Sequence, residues 1–151
     1  MAEALLKHWD RGRFSAHSAG SHPAGRVHPL AIETLVRHRV RVDGPRSKSW
    51  DEFATPGAPP IHFVFTVCDN AASETCPIWP GKPMTAHWGI QDPAAMTGTE
   101  EEQRRAFVRA FRELDARIRV FASLRLDALD RPALQARLDE IGRTRTSATG
   151  D

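Results

Sequence analysis

The sequence predicts an α/β fold built on a parallel sheet, and three observations carry the prediction. Helical and extended patterns follow one another in the order helix, strand, helix, short helix, strand, strand, helix, helix. Ile61-His-Phe-Val-Phe-Thr-Val-Cys68 is a continuous β-branched and aromatic run without polar alternation, the pattern of a strand buried on both faces of a parallel sheet. The 151 residues, 40% hydrophobic and 26% charged, suit one domain with a substantial core.

Each element has its own signal. Residues 2 to 10 read as a helix with Leu5, Leu6 and Trp9 on one side and Glu3, Lys7 and Asp10 on the other, with nothing before it to cap the first turn. After the Arg11-Gly12-Arg13 turn, Phe14 to Gly20 is a short strand candidate, and Ser21 to Gly25 is loop. A second helix is expected over Pro29 to Arg39, with Leu30, Ile32, Leu35 and Val36 as its apolar stripe. Residues 44 to 60 form a connection rich in proline and glycine around a short helix at Ser47 to Phe53. Strands follow at 61 to 68 and 84 to 90. Thr99-Glu-Glu-Glu102 has the capping-box form, and Phe107, Phe111, Leu114, Ile118 and Phe121 recur behind it at helical spacing. A last helix starts near Asp130-Arg-Pro132, carries Leu134, Leu138 and Ile141, and meets Gly142. Residues 1–143 are thus expected to form the domain, and 144–151 a small, polar tail that frays.

Charge excludes several functions. Lys and Arg number 21 against 19 Asp and Glu, a formal net charge of +2, so neither nucleic acid nor a membrane surface is an expected partner. No window approaches the roughly 20 apolar residues of a membrane span, and no secretory signal is evident, so a cytoplasmic location is expected. In a reducing compartment the two cysteines, Cys68 and Cys76, read as packing, as metal ligands or as redox groups before they read as a structural disulfide.

In a parallel sheet the ligand lies beyond the carboxyl ends of the strands. Three segments follow predicted strands: Ser18-Ala-Gly20, Cys68-Asp-Asn70 and Gln91-Asp-Pro93. Cys68 ends its strand, and Cys76 lies eight residues on, across small or polar residues that can rearrange to bring two sulfurs within disulfide range. A zinc reading would add His62 and His87, but His62 starts the strand that Cys68 ends, roughly 20 Å away at ~3.3 Å per residue. Asp92, held by Pro93, is the candidate general acid. The Arg-rich helical segments, interleaved with Glu and Asp, read as solvated faces.

Ser18-Ala-Gly-Ser-His-Pro-Ala-Gly25, Arg46 to Phe53, Val64-Phe-Thr-Val-Cys-Asp-Asn-Ala-Ala-Ser-Glu-Thr-Cys-Pro77 and Trp79-Pro-Gly-Lys-Pro-Met-Thr-Ala-His-Trp-Gly89 with Asp92-Pro93 together resemble the arsenate reductases built on the low-molecular-weight tyrosine phosphatase fold. The resemblance runs from about residue 1 to residue 125. It implies a three-layer, phosphotyrosine phosphatase I-like fold with a four-stranded parallel sheet of order 2-1-3-4. It also implies a Cys-x5-Arg loop that cradles the arsenate oxyanion with backbone N–H groups and an arginine. In the thiol-relay members the loop cysteine attacks arsenic, a second cysteine displaces arsenite, and a third draws the disulfide outward for a thioredoxin- or glutaredoxin-type reductant. By this resemblance Cys68 is the second thiol, Cys76 the third and Asp92 the acid, with arsenate and arsenite as ligands and no cofactor. Glu3 and Ser18 match family positions near a structural cation, with Lys48 about where some members place an acid.

One feature departs from the family. Met1-Ala-Glu3 aligns with the start of the first helix, and no Cys-x5-Arg occurs in the 151 residues. The expectation is a domain short of its first, central strand and nucleophile loop, and therefore inactive on arsenate as written. A start assigned too far downstream explains this, as does a truncated remnant; the first predicts an upstream in-frame strand of ~5–6 residues followed by Cys-x5-Arg. The alternatives are a tyrosine phosphatase of the same fold, which needs no relay thiols, and a non-catalytic protein that binds arsenite or a thiol partner through Cys68 and Cys76.

Overall fold

A computed structural model describes residues 1–69, 73–75 and 77–145. Helix α1 (Ala2–Trp9) buries Leu5 completely and packs on the long helix α3 (Glu100–Ser123). Trp9 stays at the rim, where its indole N–H donates to Asp115 Oδ1 at 2.7 Å and the Arg119 guanidinium lies over its ring. The turn after α1 closes on Asp10, a buried carboxylate that accepts from the Gly12 and Phe14 amides at 2.8 and 3.1 Å. Arg13 then donates to the Ala122 and Leu124 carbonyls, satisfying acceptors that the end of α3 leaves open.

Helix α2 (Pro29–Arg37) begins with His28 as its cap, the imidazole Nδ1 accepting from Leu30 N, and Pro29 in the first turn. It ends two residues sooner than its pattern predicts, because Arg39 turns into the left-handed region (φ 59°) and Val40 N reaches back to Leu35 O. Leu30 and Leu35 are buried, but Val36 is 60% exposed: one position beyond Leu35 on a helix is rotated by about 100°, away from the core. The expected short helix is a single 3-10 turn, Trp50–Phe53, capped by Ser49.

The sheet pairs β1 (Phe63–Cys68) and β2 (Met84–Ile90) in parallel, with Phe63 opposite Met84, Phe65 opposite Ala86 and Cys68 opposite Ile90. Met84, Ala86, Trp88 and Ile90 are buried while Thr85 and His87 are exposed, so β2 alternates cleanly. Phe63, Phe65 and Val67 of β1 join the same core face. Two expectations change here. The strand expected at Phe14 to Gly20 forms no ladder; among the described residues only Gly20 is bridged, in parallel to Ser49. A strand needs a hydrogen-bonded neighbour along its length, and no described segment supplies one to residues 14–19. For the same reason β1 is half-buried at every position instead of being enclosed on both faces, since its only ladder among the described residues is the one to β2.

Helices α1, α2 and α3 and the last helix contribute to one core against that face. Trp88 stacks on Phe65 with ring centroids 3.8 Å apart and meets the edge of Phe121, and both Trp88 and Phe121 are almost wholly buried. The Thr99 capping box is formed as predicted: Thr99 Oγ1 accepts from Glu102 N, and Glu102 Oε2 accepts from Thr99 N at 2.7 Å. Helix α4 (Arg131–Arg143) lays Leu134, Leu138 and Ile141 on the core, and Trp88 Nε1 donates to Leu138 O at 2.9 Å. Gly142 permits this close approach, because a Cβ there would overlap the His87 carbonyl oxygen and Trp88. Among the described residues no helix is long and apolar enough to cross a membrane.

Candidate active site

Cys68 and Asp92 lie at the same end of the sheet. Cys68 closes β1 opposite Ile90, and Asp92 stands two residues after Ile90. The parallel arrangement brings both strand ends to one end of the sheet although 24 positions separate the two residues in sequence. Asp92 is exposed, and its Oδ1 accepts from Ala94 N at 2.9 Å, capping the 3-10 turn Pro93–Ala95. That bond fixes the carboxylate's direction and leaves its second oxygen for a ligand. Cys68 is half-buried. Cys76 lies outside the described residues.

The loop bearing Asp92 is anchored from behind. Arg117 of α3, only 5% exposed, donates to Trp88 O at 2.9 Å, to Gly89 O at 3.2 Å and to Thr144 O at 3.2 Å. Glu113 Oε2 approaches the same guanidinium at 3.7 Å. The end of β2, the end of α4 and the middle of α3 thus meet on one buried cation.

A second polar group lies on the solvent side of the sheet. His87 Nδ1 is 2.7 Å from Thr66 Oγ1, and His87 Nε2 is 3.1 Å from Asp69 Oδ1. The sequence reading treats His87 only as a zinc ligand beside His62. Instead it pairs with Thr66 across the strands and with the residue that follows Cys68, and among the described residues no three or more His, Cys, Asp or Glu side chains are arranged to hold a metal. The signal was present in the period of two: with Ala86 and Trp88 inward, His87 must face outward beside Thr66.

The third segment, Ser18 to Gly20, joins α1 although no strand precedes it among the described residues. Glu3 accepts from the Ser18 amide and hydroxyl at 2.9 and 2.7 Å and from Lys7 Nζ at 2.6 Å, with Lys48 Nζ 3.6 Å away. Partial burial alone would raise the Glu3 carboxyl, but the hydrogen bonds from Lys7 and Ser18 and the charges of Lys48 and Lys7 outweigh it and hold the pKa at about 2. Two ammonium groups therefore occupy the carboxylate that the resemblance would give to a structural cation, and the donor set does not fit one. A cavity of about 330 Å³ opens beside this cluster, lined by Glu3, Lys7, Ser18, Arg41 and Arg46 among others. Neither Cys68 nor Asp92 lines it, so the void and the candidate chemistry are separate features of the molecule.

An arsenate reductase from Shouchella clausii is 34% identical over 122 residues, covering 81% of this chain and 84% of its own length. Those from Halalkalibacterium halodurans and Bacillus subtilis are 32% and 31% identical over the same coverage of both chains. The family described as low molecular weight phosphotyrosine protein phosphatase matches residues 1–133. With that match over most of its length, and a mixed α/β fold around a parallel sheet, the chain belongs to the low molecular weight phosphotyrosine protein phosphatase family.

Proposed function

We propose that the gene encodes an arsenate reductase of the thiol-relay type, acting in the cytoplasm in arsenic detoxification, of which this chain carries Cys68 as the displacing thiol, Cys76 as the resolving thiol and Asp92 as the acid. The observation that carries the reading is the coincidence of Cys68 and the Asp92 loop at one end of the sheet, in a chain whose relatives over 81% of its length are named arsenate reductases. In this reading a thiol outside these residues attacks arsenate, and Asp92 protonates the departing oxygen. The Cys68 thiolate then attacks that sulfur, so two electrons pass to arsenic and arsenite leaves as a disulfide forms. Cys76 exchanges into the disulfide, freeing the first thiol, and the Cys68–Cys76 pair is reduced by a thioredoxin- or glutaredoxin-type protein. Because no Cys-x5-Arg occurs in the 151 residues, these residues alone are expected to turn over no arsenate.

The test uses the gene with its upstream DNA in an arsenate-sensitive host. Arsenate resistance that disappears in both Cys68→Ser and Cys76→Ser supports the reading. Hydrolysis of an aryl phosphate by the same product, unaffected by either substitution and without arsenate resistance, overturns it in favour of a phosphatase. In parallel, the purified 151-residue chain oxidised with diamide should consume one NADPH per chain in the presence of thioredoxin and its reductase, or of glutaredoxin and glutathione. Stoichiometric arsenite binding without such reduction would instead mark a thiol-binding protein.

A further inference from the structure

The solvent side of the sheet holds three side chains joined around one imidazole, and two of them bracket Cys68. Thr66 precedes the cysteine by two positions, with a shift of the ladder register between them, and Asp69 follows it directly. Asp69 can only accept, so His87 Nε2 carries the hydrogen of the 3.1 Å contact and the Thr66 hydroxyl donates to Nδ1 when the imidazole is neutral. Both ring nitrogens are thereby used, and the ring direction is set from two sides. Gly89 completes the arrangement: a Cβ at this position would overlap His87 Nε2 and Asp69 Oδ1, so glycine is what allows the pair to lie flat over β2. The family reading gives no role to any of these four residues.

We propose that His87 is a positioning residue for Cys68: by clasping Asp69 to β2 it fixes the path of the chain immediately after the thiol and holds Cys68 at the strand end. The proposal rests on the reading of Cys68 as a relay thiol. Its consequence is that the clasp opposes departure of the Cys68 segment from β2, and that opening the clasp makes the thiol more accessible.

The test is the alkylation rate of Cys68 by iodoacetamide in the purified chain carrying Cys76→Ser, where a single thiol reacts. His87→Ala, Asp69→Ala and Gly89→Ala should each raise the rate about three- to fivefold, the scale of one exposed hydrogen bond. The double variant His87→Ala with Asp69→Ala should be no faster than either single one, because one contact is lost in all three. His87→Gln, whose amide can still donate to Asp69, should stay near the parent rate. A purely electrostatic influence would raise the rate in Asp69→Ala and lower it, or leave it unchanged, in His87→Ala; that result overturns the proposal, as do multiplying effects in the double variant. If His87→Ala does not fold, Asp69→Ala and Gly89→Ala decide the matter, since the first alters an exposed carboxylate and the second removes neither partner. Arsenate turnover does not enter the measurement, so failure of the relay reading and failure of the clasp are seen separately.

Discussion

The Lys48 ammonium, whose side chain is only 8% exposed, lies 3.6 Å from the Glu3 carboxylate and shares it with Ser18 and Lys7. Glu3 is held at about 2 in the folded chain against an ordinary value of 4.5. A depressed carboxyl stabilises the fold fully above its unfolded value and loses that contribution as pH falls through the folded one. Glu3→Gln is therefore expected to cost about 1–2 kcal/mol at pH 7. The gap between the two proteins in urea denaturation should shrink from about pH 4.5 downward and be nearly gone at pH 2. A gap that does not change with pH would contradict the assignment.

Arg117→Met should be among the most damaging substitutions in the chain. It removes the donors that satisfy the Trp88, Gly89 and Thr144 carbonyls, at a cost of about 2–4 kcal/mol in denaturant unfolding. Arg117→Lys should recover less than half of this loss, because an ammonium cannot span acceptors on two elements as the planar guanidinium does.

Thr99→Ala removes the acceptor for Glu102 N and one half of the capping box. The expected loss is about 1 kcal/mol, read as a lower thermal midpoint. Glu102 keeps its bond to the Thr99 position's amide, so the helix should start at the same residue.

Asp92→Asn separates the proposed acid role from the cap. The amide oxygen can still accept from Ala94 N, so stability should be unchanged. Turnover of arsenate by the product of the gene with its upstream DNA should fall by about 10²–10⁴, the usual range for a lost general acid, while oxidation of the Cys68–Cys76 pair by diamide proceeds at the parent rate.

Legibility of the fold varied with how local its cause is. The capping box of Thr99 and Glu102, the stripe from Phe107 to Phe121 and the bounds of β2 were all readable, because each depends on residues close in sequence. Residues 14 to 20 and the half-burial of β1 depart from their local patterns, because a ladder depends on a partner strand that no local pattern reports. Of the candidate site, the strand-end positions of Cys68 and Asp92 followed from the order of elements. The pairing of His87 with Asp69 did not, since Asp69 lies past the end of β1, where alternation no longer says which way a side chain points.

The Arg117 guanidinium also sets how the molecule opens. Any fluctuation that peels α4 from the sheet uncovers Thr144 and leaves a buried cation short of an acceptor, while the same cation holds the backbone that leads into Asp92. Detaching the last helix and loosening the Asp92 loop thus become a single event. In native-state hydrogen exchange the amides of α4 and those at the end of β2 should open together, with one shared free energy, although some 50 residues of chain lie between them.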